Sequence, residues 1–218
     1  FFSKSGNAQI NQDAMGAWYM YFFNTTINES PWGVQGDIQS RNWNIAGDLE
    51  QLLLRGGITY QPEMADVKMT LGYGHITTGV YGAEKSTSSE SRIYQEVLFP
   101  VQFGNRLHTN HRFRYEQRFA ESQTLRTRYR YNVFLNIPLN KPDMDYKTLY
   151  LAFYNEIFIN GQRNTGNGNY VEIFDRNRLY AALGYLIQKG RKVQFGVMRQ
   201  TTDQWSKNQL QFSFHQTI

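Results

Sequence analysis

The stretch that decides the fold is LHTNHRFRYEQRF, Leu107 to Phe119. Leu107, Thr109, His111, Phe113, Tyr115, Gln117 and Phe119 occupy one parity, and His108, Asn110, Arg112, Arg114, Glu116 and Arg118 the other. Side chains along a strand alternate sides, so one face is mostly apolar and its opposite is almost wholly charged or polar. The next segment repeats the pattern, with Leu125, Thr127, Tyr129, Tyr131, Val133, Leu135 and Ile137 set against Arg126, Arg128, Arg130, Asn132 and Asn136. The two read as a long hairpin turning around Glu121 to Thr124.

Alternation alone fits a soluble sandwich as well as a membrane barrel. Length separates them. Globular strands usually run about five or six residues, whereas Leu107 to Phe119 at roughly 3.3 Å per residue extends about 40 Å. Tilted by about 40°, such a strand rises roughly 30 Å, which suits an apolar band of about 25 Å plus its interfaces.

Weaker alternation runs through Gly16–Thr25, Gly33–Trp43, Leu49–Tyr60, Val67–Ile76, Arg92–Phe99, Leu149–Ile159, Asn177–Ile187, Lys192–Thr201 and Gln209–Ile218. With the hairpin, that makes about eleven segments. Single-chain bacterial outer-membrane barrels normally have an even number of strands. The expected fold is therefore all-β, a single antiparallel transmembrane β-barrel of about twelve strands, with a range of ten to fourteen.

Composition agrees. The 218 residues suffice for one all-β unit. Aromatic residues make up 16% and charged residues 19%, with a mean hydropathy of -0.59. The longest apolar run, Trp18 to Phe23, falls far short of the roughly 20 residues a spanning helix needs. Only helices and closed barrels satisfy every backbone group in lipid, so a bilayer would be crossed by strands. There is no cysteine, hence no disulfide framework and no thiolate chemistry. The net charge of +5 comes mostly from arginines inside strand-like segments and not from a basic tail, which argues against nucleic-acid binding. Residues 1–15 are set apart from the barrel at 16–218. Phe1 to Ala8 reads either as the remnant of a secretory signal, with small residues at Gly6, Asn7 and Ala8, or as a disordered terminus.

Connections fall into two classes. Lys189, Gly190 and Arg191 form a tight turn, while Thr77–Ser91 and Asn160–Asp175 are long excursions rich in Gly, Ser, Thr and Asn. Short turns usually face the periplasm and long loops the exterior. Counting back from the C-terminus places both long excursions outside.

Several stretches resemble an uncharacterised outer-membrane β-barrel family of Bacteroidetes-type Gram-negative bacteria, known as a domain of unknown function. They are Gly16-Ala17-Trp18-Tyr19, Gly47-Asp48-Leu49-Glu50-Gln51 leading to Arg55, His111 to Phe119, Arg126 to Tyr131, Tyr154 to Phe158, and Asn177-Arg178-Leu179-Tyr180 before Gly184-Tyr185. The resemblance covers nearly the whole chain from Gly16, with the paired Arg-rich strands as its most specific element. It implies a barrel in the cell outer membrane and no particular activity. One departure is the last residue, Ile218, where such barrels often end on an aromatic; Phe212 and Phe214 lie on the matching face.

Arginines facing lipid at mid-membrane would cost roughly 2 to 4 kcal/mol each, so they belong in the lumen. The expected lumen charge network is Arg41, Arg55, Glu96, Arg112, Arg114, Glu116, Arg118, Arg126, Arg128, Arg130, Glu156 and Arg178. Parity sets Glu116 opposite Arg128 and Arg114 opposite Arg130. If the following turn centres near Pro142, Glu156 also meets Arg128, Arg178 follows on the next strand, and Glu96 joins from the other side. Such a set is either a salt-bridge network filling a narrow lumen or an anion-attracting constriction.

No nucleophile, base and orienting group assemble from the sequence, so no catalytic residue is assigned and the chain is read as no enzyme. His75 and His111 fall on expected lipid faces, and the serines cluster at Ser86 to Ser91. Asp143 and Asp145 read as solvated turn carboxylates and not a calcium site, so neither metal nor cofactor is expected. The glycines of Asn160–Tyr170 mark flexibility and not a phosphate cradle. Trp18, Tyr19, Trp32, Trp43, Tyr60, Tyr73 and Trp205 read as interfacial girdles.

Two functions stay open. One is a closed or narrow barrel serving as a structural or accessory subunit of an outer-membrane assembly; the other is a small, porin-like diffusion pore or solute-binding channel preferring anions. An outer-membrane lipid hydrolase is the remote third. Expected partners are the lipid bilayer with its lipopolysaccharide and other outer-membrane proteins, and no nucleic acid.

Overall fold

The computed structural model describes residues 11–82, 85–104, 107–121 and 123–218. Thirteen strands follow in chain order: β1 Gly16–Thr26, β2 Trp32–Asn42, β3 Leu49–Tyr60, β4 Lys68–Gly79, β5 Thr87–Phe103, β6 Leu107–Ala120, β7 Arg126–Pro138, β8 Leu149–Asn160, β9 Asn164–Gly166, β10 Asn169–Tyr170, β11 Phe174–Gln188, β12 Arg191–Thr201 and β13 Ser206–Thr217. Eleven of them close into one barrel in the order β1-β13-β12-β11-β8-β7-β6-β5-β4-β3-β2, while β9 and β10 form a separate two-stranded sheet.

Each of the eleven alternating segments is one barrel strand, so no strand was missing from the pattern. Eleven lies beside the expected count of about twelve and inside its range of ten to fourteen. An odd number of strands closes when one neighbouring pair runs parallel, and here that pair is β1 with β13, from Gly16 beside Gln209 to Asn24 beside Thr217. All other barrel pairs are antiparallel. The parallel seam also sends the two chain ends to opposite mouths. We name these the N-terminal mouth, where β1 begins, and the C-terminal mouth, where β13 ends.

Two expected connections change. The Thr77–Ser91 excursion is mostly strand, because β4 runs to Gly79 and β5 starts at Thr87. Cross-strand hydrogen bonding continues there although the Ser/Thr-rich composition mimics a loop. Within Asn160–Asp175, β9 and β10 pair at Gly166 and Asn169, with Gly166 and Gly168 both at positive φ. The tight turn stands as expected: Gly190 takes φ 77° between β11 and β12. The possible signal remnant at Phe1 to Ala8 lies outside the described residues.

The barrel carries its polarity inverted relative to a water-soluble fold. Leu54, Ile58, Leu71, Tyr73, Phe113, Tyr129, Leu179, Leu183 and Phe195 project outward and are exposed, while Glu116, Arg128, Glu156, Gln200 and Gln209 are buried inside. The interior is divided lengthwise. On one side Trp18, Tyr150, Ala152, Tyr180, Ala182 and Met198 form an apolar cluster. The rest of the wall carries charge, most densely on β5 to β8 and also at Asp37, Arg41 and Arg55 on β2 and β3. Two inward glycines accommodate aromatic neighbours directly across the ladder: a Cβ on Gly184 would stand 2.2 Å from the Tyr150 ring, and one on Gly72 2.2 Å from the Tyr94 ring. The missing side chain leaves the volume that each ring fills.

Candidate functional site

Every residue of the expected charge network turns into the lumen. Glu116 lies opposite Arg128 and Arg114 opposite Arg130, as parity required. Two guanidinium groups set directly across a ladder repel one another, and carboxylates from neighbouring strands resolve the conflict. Arg114 engages Glu96 on β5 at 2.5 Å, while Arg130 divides its nitrogens between Glu116 and Glu156, each at 2.6 Å. Glu116 takes Arg128 on its other oxygen at 2.6 Å. Arg112 reaches Glu156 at 2.7 Å, and Arg178 lies 4.0 Å from the same carboxylate.

Glu156 does not stand opposite Arg128. Its ladder partner is Asn132, and Arg128 faces Asn160. The β7–β8 connection centres beyond Pro142, which shifts the register toward the C-terminal mouth. Glu156 is instead taken diagonally by Arg130, two residues from its ladder partner, while Arg128 turns to Glu116 and Asp175.

Toward the N-terminal mouth, Glu90 receives both Arg92 and Arg118 at 2.6 Å. Arg126 is held by Gln123 and Asn160, and Arg55 pairs with Asp37 at 2.9 Å. Arg41 bonds Gln39 and Gln51 and stacks on Trp18, its guanidinium carbon 3.9 Å from the ring centroid. Arg178 on β11 covers Trp18 on β1 at 4.7 Å and Phe158 on the adjacent β8 also at 4.7 Å. Arg130 lies 4.5 Å from the Phe158 centroid.

Asp37, Glu50, Glu90, Arg92, Asp175 and Arg176 also belong to this belt and were absent from the sequence-derived set. Asp37 shares parity with Gln39 and Arg41 and was legible on that ground. Arg92 shares parity with Glu96 in the segment Arg92–Phe99 and was legible in the same way, and Glu90 follows once β5 is extended to Thr87. Glu50 and Asp175 were not legible, because bulges turn them inward. Asn42 pairs with Leu49 while Arg41 pairs with Gln51, which leaves Glu50 as the extra residue. Asp175 is likewise inserted between the pairs of Phe174 and Arg176. A bulge breaks period two, so parity fails at such a position. Glu50 then accepts the Trp18 indole N–H at 2.9 Å and the Gln209 amide at 3.2 Å, and Asp175 takes Arg128 at 2.8 Å.

Three expected girdle residues therefore lie elsewhere. Trp18 is a lumen residue, held by Glu50. Trp43 packs between Tyr81 and Trp205 over the N-terminal mouth, with ring centroids 5.7 and 6.3 Å away. Tyr19, Trp32 and Tyr73 face outward and are exposed, with Trp32 packed on Tyr60. Lys207 further ties the chain over this mouth by donating to the carbonyl oxygens of Asn11 and Ala14.

Side chains meet across the lumen at several levels. The Gln35 amide on β2 donates to Glu96 on β5 at 3.1 Å, and Tyr154 on β8 and Gln211 on β13 exchange hydrogen bonds. Glu116 and Phe158 are each 1% exposed, so the centre of the belt is sealed from water. From the belt, where Trp18, Arg130 and Glu156 line it, a cavity of about 420 Å³ extends to groups toward the C-terminal mouth, including Phe22, Lys68, Asn136, Lys192 and His215.

Among the described residues no cluster of His, Asp and Glu has metal-binding geometry. Asp143 and Asp145 sit in a turn where Thr148 satisfies the backbone of both. The Ser213 hydroxyl lies 3.0 Å from His215 Nε2, a pair that the sequence reading missed. Among the described residues no carboxylate pairs with that ring, and its ladder neighbour is Lys192, so no orienting group completes a nucleophilic site. Outside the lumen, His111 Nδ1 meets the Tyr131 hydroxyl at 2.8 Å.

Fold and site together define a closed β-barrel with a polar, ion-paired lumen. The chain belongs to the family described as Protein of unknown function (DUF2490), whose family model matches residues 15–211. No curated protein and no solved structure matches the chain.

Proposed function

We propose that the protein is an integral outer-membrane barrel of a Gram-negative bacterium of the Bacteroidetes type, closed by its own charge belt. It serves as a structural or accessory subunit of an outer-membrane assembly, in contact with lipid and lipopolysaccharide. The inverted polarity supports the membrane setting: a contiguous apolar outer wall around a charged interior suits hydrocarbon outside and not water. Among the described residues no helix is long and apolar enough to cross a membrane, which says nothing against crossing by strands. The two-residue turn at 189–190 opens on the C-terminal mouth and the long 161–173 connection on the other, which supports a reading with the C-terminal mouth on the periplasmic side.

The observation that carries closure is the buried Glu116 clamped between Arg128 and Arg130, whose guanidinium groups both lie over the Phe158 ring. A conducting lumen needs interior side chains that do not meet across it. With the lumen sealed, the loops and outer wall remain as working surfaces, which suits an accessory subunit. We assign it no catalysis. Purification from native membranes followed by mass spectrometry of co-purifying chains tests the assembly role, and recovery of the barrel alone at every detergent stringency would refute it.

The second reading, a narrow anion-preferring pore, draws on the surplus of arginine and lysine over carboxylate in the lumen. Planar-bilayer conductance separates it from closure.

A further inference from the structure

The belt seals one end of the lumen and leaves a chamber at the other. Its volume of about 420 Å³ falls within the roughly 300 to 1,000 Å³ of small-ligand clefts. Its lining has two characters. Phe22, Met20, Phe134 and Tyr154 supply apolar surface, with Phe22 stacked on His215 at 4.7 Å. Lys68, Arg112 and Lys192 supply positive charge.

The charges are not balanced. Among the described residues, no carboxylate lies within ion-pair distance of Lys68 or Lys192, whereas the neighbouring arginines of the belt are paired. Lys192 stands beside His215 on the ladder, which brings a further nitrogen base and no counter-charge. The Arg112 side chain is 18% exposed, against 5% for Arg114 and 6% for Arg130, and its guanidinium lies over the Phe134 ring at 5.2 Å. Lys68 and Arg112 both flank Leu98 on successive ladders, so they share one wall, and Lys192 stands on β12 across the chamber. Glu96, already engaged by Arg114, reaches Lys68 only through space and no carboxylate among the described residues reaches Lys192, so both ammonium groups lack a contact partner and favour an incoming anion that offsets their partial desolvation.

We propose that this chamber binds a small organic anion, a carboxylate or phosphate monoester carried on an apolar body, entering from the C-terminal mouth. The oxyanion lies against Lys68 and Arg112 or Lys192, and the apolar body rests on Phe22 and Phe134. An inorganic anion would leave the aromatic wall unused, and a neutral amphiphile would leave the lysines unpaired. The inference rests on the closed-barrel reading only for the floor of the chamber.

Isothermal titration of the purified full chain in amphipol, free of detergent, tests it with phenyl phosphate, benzoate, inorganic phosphate and benzyl alcohol. Phenyl phosphate or benzoate is expected to bind, with inorganic phosphate and benzyl alcohol at least about tenfold weaker, the factor associated with one charge-assisted contact. Lys68→Gln and Lys192→Gln are each expected to weaken the organic anion by roughly tenfold without moving the unfolding midpoint. Binding of either anion supports the site. No binding of either at millimolar concentration, equal affinity for benzyl alcohol, or full affinity in the double Lys68→Gln, Lys192→Gln variant would each overturn it. Conductance of the same sample is read separately, so a steady current refutes closure while the titration still decides the site.

Discussion

Arg128 donates through Nη2 to Glu116 Oε2 at 2.6 Å and through Nε to the same oxygen at 2.9 Å, directly across the β6–β7 ladder. The opposite oxygen of Glu116 is taken by Arg130. One buried carboxylate thus serves two guanidinium groups, and its loss leaves Arg128 with Asp175 alone and Arg130 with Glu156 alone, each away from water. Glu116→Ala and Glu156→Ala are each expected to cost about 3 to 5 kcal/mol, the range for breaking one side of a buried pair. The exposed pair of Arg163 with Glu172, 3.2 Å apart, is the control, and Glu172→Ala should cost about 0 to 1 kcal/mol. Urea unfolding followed by loss of heat-modifiable gel mobility measures all three; equal midpoints would dismiss the belt as a stabilising network.

Outward and inward positions of the same strands should differ in their contact with hydrocarbon. A fluorophore on Phe113→Cys, Tyr115→Cys, Tyr129→Cys, Tyr131→Cys, Val133→Cys or Leu135→Cys is expected to be quenched by brominated lipid chains. One on Arg112→Cys, which lines the chamber, should be spared. Equal quenching on both faces would sink the membrane assignment.

In a planar bilayer the unmodified protein is expected to carry little or no steady current, since side chains meet across the lumen at Gln35 and Glu96 and at Tyr154 and Gln211. If current is seen, the cation surplus of the lining demands anion preference, and Arg128→Glu should weaken or reverse it. Large cation-selective currents from the unmodified protein would defeat closure and the electrostatic argument together.

The parallel seam is open to direct test. Tyr19 pairs with Phe212 and Tyr21 with Phe214, with stacked rings 5.5 and 5.8 Å apart. Double cysteine replacements at 19 and 212, and at 21 and 214, should both cross-link within one chain under mild oxidant. A barrel with another strand between β1 and β13 would cross-link neither, because that strand would part them by two inter-strand spacings of roughly 4.8 Å each.

Much of this protein was determined by the sequence alone, for a physical reason: period two is a local property of an extended chain. The alternation of Leu107 to Phe119 and Arg126 to Ile137 specified strand, face and inward arginines without knowledge of any other segment. The same parity, applied to one short turn, fixed Glu116 opposite Arg128. Only the tertiary structure decided what depends on the whole circuit. Closure by a parallel pair at β1 and β13 is a property of the last two edges to meet, which no local pattern encodes. Bulges at Glu50 and Asp175 invert parity in response to a neighbouring strand, and so bring in two carboxylates that alternation had placed outside. Trp18, which reads as an interfacial aromatic, lies in the lumen because Glu50, Arg41 and Arg178 converge on it from three other strands. The one-ended chamber arises in the same way, from the lengths of side chains meeting across a lumen whose walls lie far apart in the chain.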